Sequence, residues 1–178
     1  AWNAAKKIQG RSDIALSPAG RDVVGGWALS PEFAAFKCVC SPLVRAQETA
    51  RIMGFEPSDC EPRLIEMNWG DWEGGTLAEL RAEPGQEMTA NENRGLDFQP
   101  PGGESPRDIQ ARLGPWLGGI REPTIAVTHK GVIRALYALA CGWDMSGDPP
   151  QKLRDGMAHS FVIDSDGNPS VDRLNIPL

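Results

Sequence analysis

The apolar positions fall into short runs broken by proline and glycine, and their spacing alternates between strand-like and helix-like along the chain. Phe36 to Cys40 and the β-rich run Thr124 to Thr128 read as buried strands. Ser-Pro pairs mark helix starts, with serine as the cap and proline in the first turn. They predict helices from Ser17-Pro18 to about Leu29, from Ser41-Pro42 to about Met53, and from Ser105-Pro106 to about Leu117. Thr76-Leu77-Ala78-Glu79 reads as a capping box opening another helix. Val132 to Cys141 is an apolar helix closed by Gly142. Near the end, Ser160 to Asp164 and Val171 to Ile176 read as strands joined by the turn Asp166-Gly167-Asn168-Pro169. Strands alternating with helices predict an α/β domain with a largely parallel sheet and helices on both faces. Ligands in such sheets bind beyond the carboxyl ends of the strands. Cys40-Ser41 and Thr128-His129 are both junctions of that kind.

Composition narrows this picture. The chain has 178 residues, a length for one domain, and no repeat or linker divides it. A net charge of −6 argues against a nucleic-acid partner, which would need clustered Lys and Arg. No apolar run of about 18 residues is present, so no membrane span is expected. The four cysteines lack the paired spacing of a zinc site and are expected to be reduced, buried thiols, which favours the cytoplasm. Asp164-Ser165-Asp166-Gly167 lacks the downstream ligand spacing of a calcium loop and reads as a hairpin turn. The six tryptophans are scattered and read as core and pocket-wall residues.

Three segments carry candidate chemistry. A helix starting near Ser41 would present unpaired N–H groups to an anion, with Arg45 one turn inside as a bidentate donor. A surface arginine is the bland alternative. His129 follows a strand and precedes Gly131, whose missing side chain lets backbone approach a ligand. Its alternative is a structural histidine. In Leu64 to Gly74, three acids interleave with aromatic residues and glycines, and aromatic neighbours raise a carboxyl's pKa towards general-acid use. Glu66, Asp71 and Glu73 are not separable on this basis, and an exposed acidic loop is the competing reading.

Together these segments resemble the histidine phosphatase (phosphoglycerate-mutase-like) superfamily, phosphatase branch, over nearly the whole chain. Members begin with a strand ending in Arg-His-Gly-x-Thr, then x-Trp-Asn and a Gln-Gly-x-x-Asp segment. This chain opens Ala1-Trp2-Asn3 and continues Gln9-Gly10-Arg11-Ser12-Asp13. The Ser-Pro segment through Arg45, Glu66 to Gly74, Pro101-Gly102-Gly103-Glu104-Ser105 and Val127-Thr128-His129 follow in family order.

The resemblance implies a three-layer α/β/α fold and a phosphomonoester hydrolase that works through a phosphohistidine without a metal or cofactor. It implies Glu66 as proton donor, His129 as the second active-site histidine, and Arg45, Asn3 and Gly131 around the phosphate. Gln9, Trp69, Lys130 and the Pro100 to Gly103 stretch are expected on the substrate side, with selectivity in Ala82 to Gln99. The ligand expected is a small phosphorylated metabolite or inorganic phosphate. Shortness favours a phosphatase over a mutase, whose insertions close the site against water. A phospho-ligand-binding pseudoenzyme and an interaction protein are the other readings, and the oligomeric state is open, a homodimer included.

Two departures stand out. The Arg-His-Gly segment, with nucleophile and first clamping arginine, does not occur in residues 1–178. Losing a central strand would expose two sheet edges, so about ten preceding residues are expected to carry it. His159 has no adjacent Arg or Gly and is expected at a structural or pocket-rim position. Lys130 stands where relatives place a small residue, and either turns inward as a second cation or faces solvent.

Overall fold

In the computed structural model, which describes residues 2–82 and 87–178, the core of the site is a parallel ladder. The first described elements are α1 (Pro18–Gly25), β1 (Lys37–Cys40), α2 (Val44–Ile52) and β2 (Asp59–Cys60). They are followed by α3 (Leu77–Ala82), α4 (Glu87–Glu92), α5 (Pro106–Leu117), β3 (Thr124–Val127) and α6 (Lys130–Cys141). The chain closes with β4 (Met157–Ile163) and β5 (Pro169–Pro177). The sheet order is β2-β1-β3, all parallel, while β4 and β5 form a separate antiparallel hairpin. The hairpin turns where Asp166 to Pro169 reads as a turn, and both of its strands run longer than the sequence pattern predicts.

Register is what positions the site. Lys37 pairs with Thr124 and Cys40 with Val127, so β1 and β3 end at the same level. Ser41 N–H then donates to the Val127 carbonyl at 2.9 Å. Cys40 also faces Cys60 across the β1–β2 ladder. Alternation along β1 sends Val39 to one face and Cys38 and Cys40 to the other. Val39 joins Leu64, Met67, Ile109, Leu113, Leu117, Val132 and Ala135 in the main core, which α5 and α6 complete. Burying one such aliphatic side chain contributes roughly 1.5–3 kcal/mol. A second cluster, Tyr137, Ala138 and Trp143 with Phe161 and Leu174, docks the hairpin on α6.

The helix starts predicted from serine or threonine caps follow the capping rules with one exception. Ser105 and Asp108 form a reciprocal capping box on α5, and Thr76 and Glu79 exchange the equivalent bonds before α3. Ser17 caps α1, which stops at Gly25 rather than near Leu29. The exception is α2, which begins at Val44 rather than at the Ser41-Pro42 pair. Ser41's hydroxyl is committed elsewhere, and Asp13 Oδ1 instead accepts from Val44 N–H at 2.8 Å. Asp13 thus supplies across space the cap that the local sequence was expected to supply. Asp164 Oδ1 accepts from the N–H groups of Asp166 and Asn168, so the acidic tetrapeptide is a hairpin turn. Among the described residues no helix is long and apolar enough to cross a membrane.

The cysteines depart from the buried expectation. Cys38 and Cys40 are buried, Cys60 and Cys141 are exposed, and all four are free thiols.

Candidate active site

The equal lengths of β1 and β3 place Ser41 beside His129, and His129 Nε2 lies 2.7 Å from Ser41 Oγ. His129 is also the N-cap residue of α6, so its ring lies where that helix presents its positive end. Burial, with the cations of Arg45 and Arg112 nearby, pushes its pKa down to about 3. The imidazole is therefore neutral at pH 7, carrying one N–H donor.

Glu66 enters from the loop after the helical turn Pro62–Leu64. Its Oε1 accepts from Met67 N–H at 2.8 Å, and its Oε2 lies 3.4 Å from Gly131 N at the start of α6. Gly131 was expected to open backbone to a ligand. Its missing side chain instead makes room for Glu66, since a Cβ there would lie 2.5 Å from Oε1. Burial raises the Glu66 pKa, opposed by the Met67 and Gly131 N–H groups and by Arg45 and Arg112. A carboxyl whose pKa is raised by burial beside Arg45 is equipped to donate a proton.

The other two acids separate cleanly from it. Burial would raise Glu73, but bonds from Ser12 Oγ and from the N–H groups of Arg11, Trp69 and Ser12 outweigh burial and hold its pKa below the usual range. Glu73 is therefore a brace for the Gln9–Asp13 loop. Gly10 has φ +50° and a Cβ there would lie 1.9 Å from Glu73 Oε1, so only glycine lets the brace close. Asp71 is exposed.

Arg45 is half-buried, and burial lowers its pKa while Glu66, Asp13 and Glu73 oppose that shift. It donates from Nη1 to Ser12 O at 2.9 Å and from Nη2 to Gly10 O at 2.7 Å. The guanidinium so joins the braced loop to the field that acts on both Glu66 and His129.

Residues to which the sequence reading assigns no role hold Glu66 in place. Arg112 on α5 donates to the carbonyls of Arg63 and Ile65, and its Nε pairs with Glu104 Oε1 at 2.8 Å. Glu104 also pairs with Arg11 at 3.1 Å, and Arg11 Nε donates to Glu66 O at 3.2 Å. Ser41, Arg11, Glu104 and Arg112 act across 8 to 93 residues of sequence, and local pattern carries no sign of them.

The remaining expected residues lie apart from this cluster. Asn3 is exposed, and its Oδ1 accepts from Gln9 Nε2. Among the described residues no hydrogen bond joins Asn3 to Arg45, Glu66 or His129. Trp69 stacks edge-on against Phe98 at 5.5 Å and packs on the main core. Lys130 turns outward to Asp155 at 2.7 Å. Pro101 lines a hollow of about 330 Å³ with Trp72, Ala90, Asn91, Arg94 and Gln99. The expected selectivity stretch Ala82 to Gln99 includes residues 83–86, which lie outside the described residues. His159 Nδ1 accepts from Asn175 N–H at 3.1 Å across the hairpin, a structural placement.

Known proteins share this arrangement of chain. The sequence is 29% identical to a glucosyl-3-phosphoglycerate phosphatase of Mycolicibacterium vanbaalenii, covering 96% of this chain and 81% of that one. It is also 29% identical to a 2,3-bisphosphoglycerate-dependent phosphoglycerate mutase of Bartonella henselae, covering 99% and 93%. Shortness therefore does not separate phosphatase from mutase. The solved structure of a protein called mycobacterial hydrolase 1 superimposes with a TM-score of 0.73 at 25% identity, covering 99% of this chain and 93% of that one. A family model for the histidine phosphatase superfamily (branch 1) matches residues 1–177, and the chain belongs to that superfamily.

Proposed function

We propose that the protein is a metal-independent phosphomonoester hydrolase acting through a phosphohistidine on a small phosphorylated metabolite. The observation that carries this reading is the inward-turned Glu66 carboxyl, its pKa raised, seated against the first turn of α6 within the field of Arg45. In the first step a histidine nitrogen bonds to phosphorus while the bond to the leaving oxygen breaks, and Glu66 gives that oxygen its proton. In the second, water attacks phosphorus, Glu66 takes the water's proton, and the nitrogen–phosphorus bond breaks. Arg45 and the neutral His129 N–H stabilise charge on the phosphoryl oxygens as it passes.

His129 and His159 are both engaged elsewhere, one with Ser41 and one with Asn175. The attacking histidine of the family pattern, with its clamping arginine, does not occur in residues 1–178. Glucosyl-3-phosphoglycerate phosphatase and phosphoglycerate mutase both handle small phosphorylated acids, and we propose the same class of substrate here. Transfer to a second hydroxyl instead of water is the alternative fate of the phosphoryl group, favoured by the similarity to the mutase. The free thiols support a reducing compartment, and we place the protein in the cytoplasm.

The proton-donor role is tested with two leaving groups. Glu66→Gln keeps the shape but removes the proton, and general acid catalysis contributes about 10²–10⁴-fold. Turnover of an alkyl phosphate should fall by about that factor, with para-nitrophenyl phosphate, whose leaving group needs little help, far less affected. Equal losses on both substrates would remove Glu66 from the role.

A further inference from the structure

Cys40 and Cys60 occupy paired positions on β1 and β2, and their Sγ atoms lie 3.9 Å apart. Neighbouring strands run about 4.8 Å apart, inside the 4.4–6.8 Å Cα separation that a disulfide spans. One thiol is exposed and the other buried, so solvent reaches the pair from one side only. We propose that Cys40 and Cys60 form an oxidisable pair, closed to a disulfide by a hydroperoxide.

The exposed Cys60 reacts first. Its thiolate attacks one peroxide oxygen, a sulfur–oxygen bond forms, the oxygen–oxygen bond breaks, and the departing hydroxide is protonated to water. The Cys40 sulfur then attacks the sulfenic sulfur, forming the sulfur–sulfur bond as the second oxygen leaves with a proton as water. Two thiols and one hydroperoxide group give one disulfide and two molecules of water when the oxidant is hydrogen peroxide. Burial, reinforced by the neighbouring Cys60, pushes the Cys40 thiol up to about 12. The scarcity of the Cys40 thiolate is offset by the effective molarities of 10⁵ M or more that well-placed groups reach.

The position ties the pair to the site. Glu61 N–H donates to the Cys40 carbonyl at 2.8 Å, and Ser41, next in chain, holds His129. Closing the sulfurs from 3.9 Å to about 2.05 Å draws the end of β1 towards the segment that runs on to Glu66. The proposal rests on sulfur geometry alone and is independent of the catalytic reading.

The test uses the full chain carrying Cys141→Ser, which removes the other exposed thiol. After hydrogen peroxide and blocking of free thiols, tryptic digestion without reductant should yield residues 38–45 joined to residues 52–63. Fragmentation should place the bond at Cys40, dithiothreitol should release it, and the added exposed-site change Cys60→Ser should abolish it. The closing step should quicken about tenfold per pH unit from pH 7 to 9, as the Cys40 thiolate fraction rises. Oxidation of Cys60 to the sulfinic acid with Cys40 still free, or a bond through Cys38, would overturn the proposal.

Discussion

At the scale of single residues, burial disfavours the charged forms of two groups in the cluster, His129 and Glu66. His129 sits against Ser41 Oγ at 2.7 Å, and burial beside two arginines holds its pKa at about 3 against an ordinary 6.5. The folded chain therefore binds fewer protons there than the unfolded chain between pH 6.5 and 3. Stability supplied by neutral His129 is present above pH 6.5 and is lost as pH falls through that window. At one unit per about 1.4 kcal/mol, the penalty at pH 4.5 is roughly 2–3 kcal/mol. Urea unfolding at pH 7.5 and 4.5 should show this much less acid loss in His129→Gln than in the parent protein. An identical acid loss in both would mean that His129 is already protonated. Glu66 carries the opposite sign. Its raised pKa makes the folded state bind the extra proton, so it costs stability as pH rises above 4.5.

Secondary-structure elements decide which residues can meet. The strand ends, the apolar helix after His129 and the α5 capping box are local patterns, and they are readable because capping and periodicity act within a few residues. The roles of Glu66, Asp71 and Glu73 are not, because the three share one local environment in sequence. What separates them is α6, whose Gly131 lies 65 residues beyond Glu66. Ser41 shows the reverse case. Its Ser-Pro signature predicts a helix cap, but β1–β3 register gives its hydroxyl to His129, and Asp13 caps the helix instead. The support of Glu66 by α5 is equally long-range. Arg112 binds the carbonyls of Arg63 and Ile65, and its cation opposes the upward shift of the Glu66 pKa. Arg112→Gln should therefore move the alkaline limb of the kcat profile to higher pH while lowering kcat about 10- to 100-fold with little change in KM. A lowered kcat with an unmoved limb would reduce Arg112 to a packing role.

For the molecule as a whole, four separate stretches converge on one end of the parallel sheet. The Gln9–Asp13 loop arrives braced by Glu73 and tied to Arg45. The ends of β1 and β3 bring Ser41 and His129, and the α5-supported loop brings Glu66. Family order along the chain made this convergence legible, while Asn3 and Lys130 lie on exposed positions with partners of their own, Gln9 and Asp155. The account's central claim is covalent catalysis by histidine at this convergence. Its most direct measurement is phosphoenzyme trapping. The protein is mixed with para-nitrophenyl phosphate in EDTA, quenched in alkali and mapped by mass spectrometry. The account predicts turnover in EDTA and an acid-labile, alkali-stable phosphate on a histidine. Turnover that EDTA abolishes, or turnover with no phosphohistidine, would contradict it.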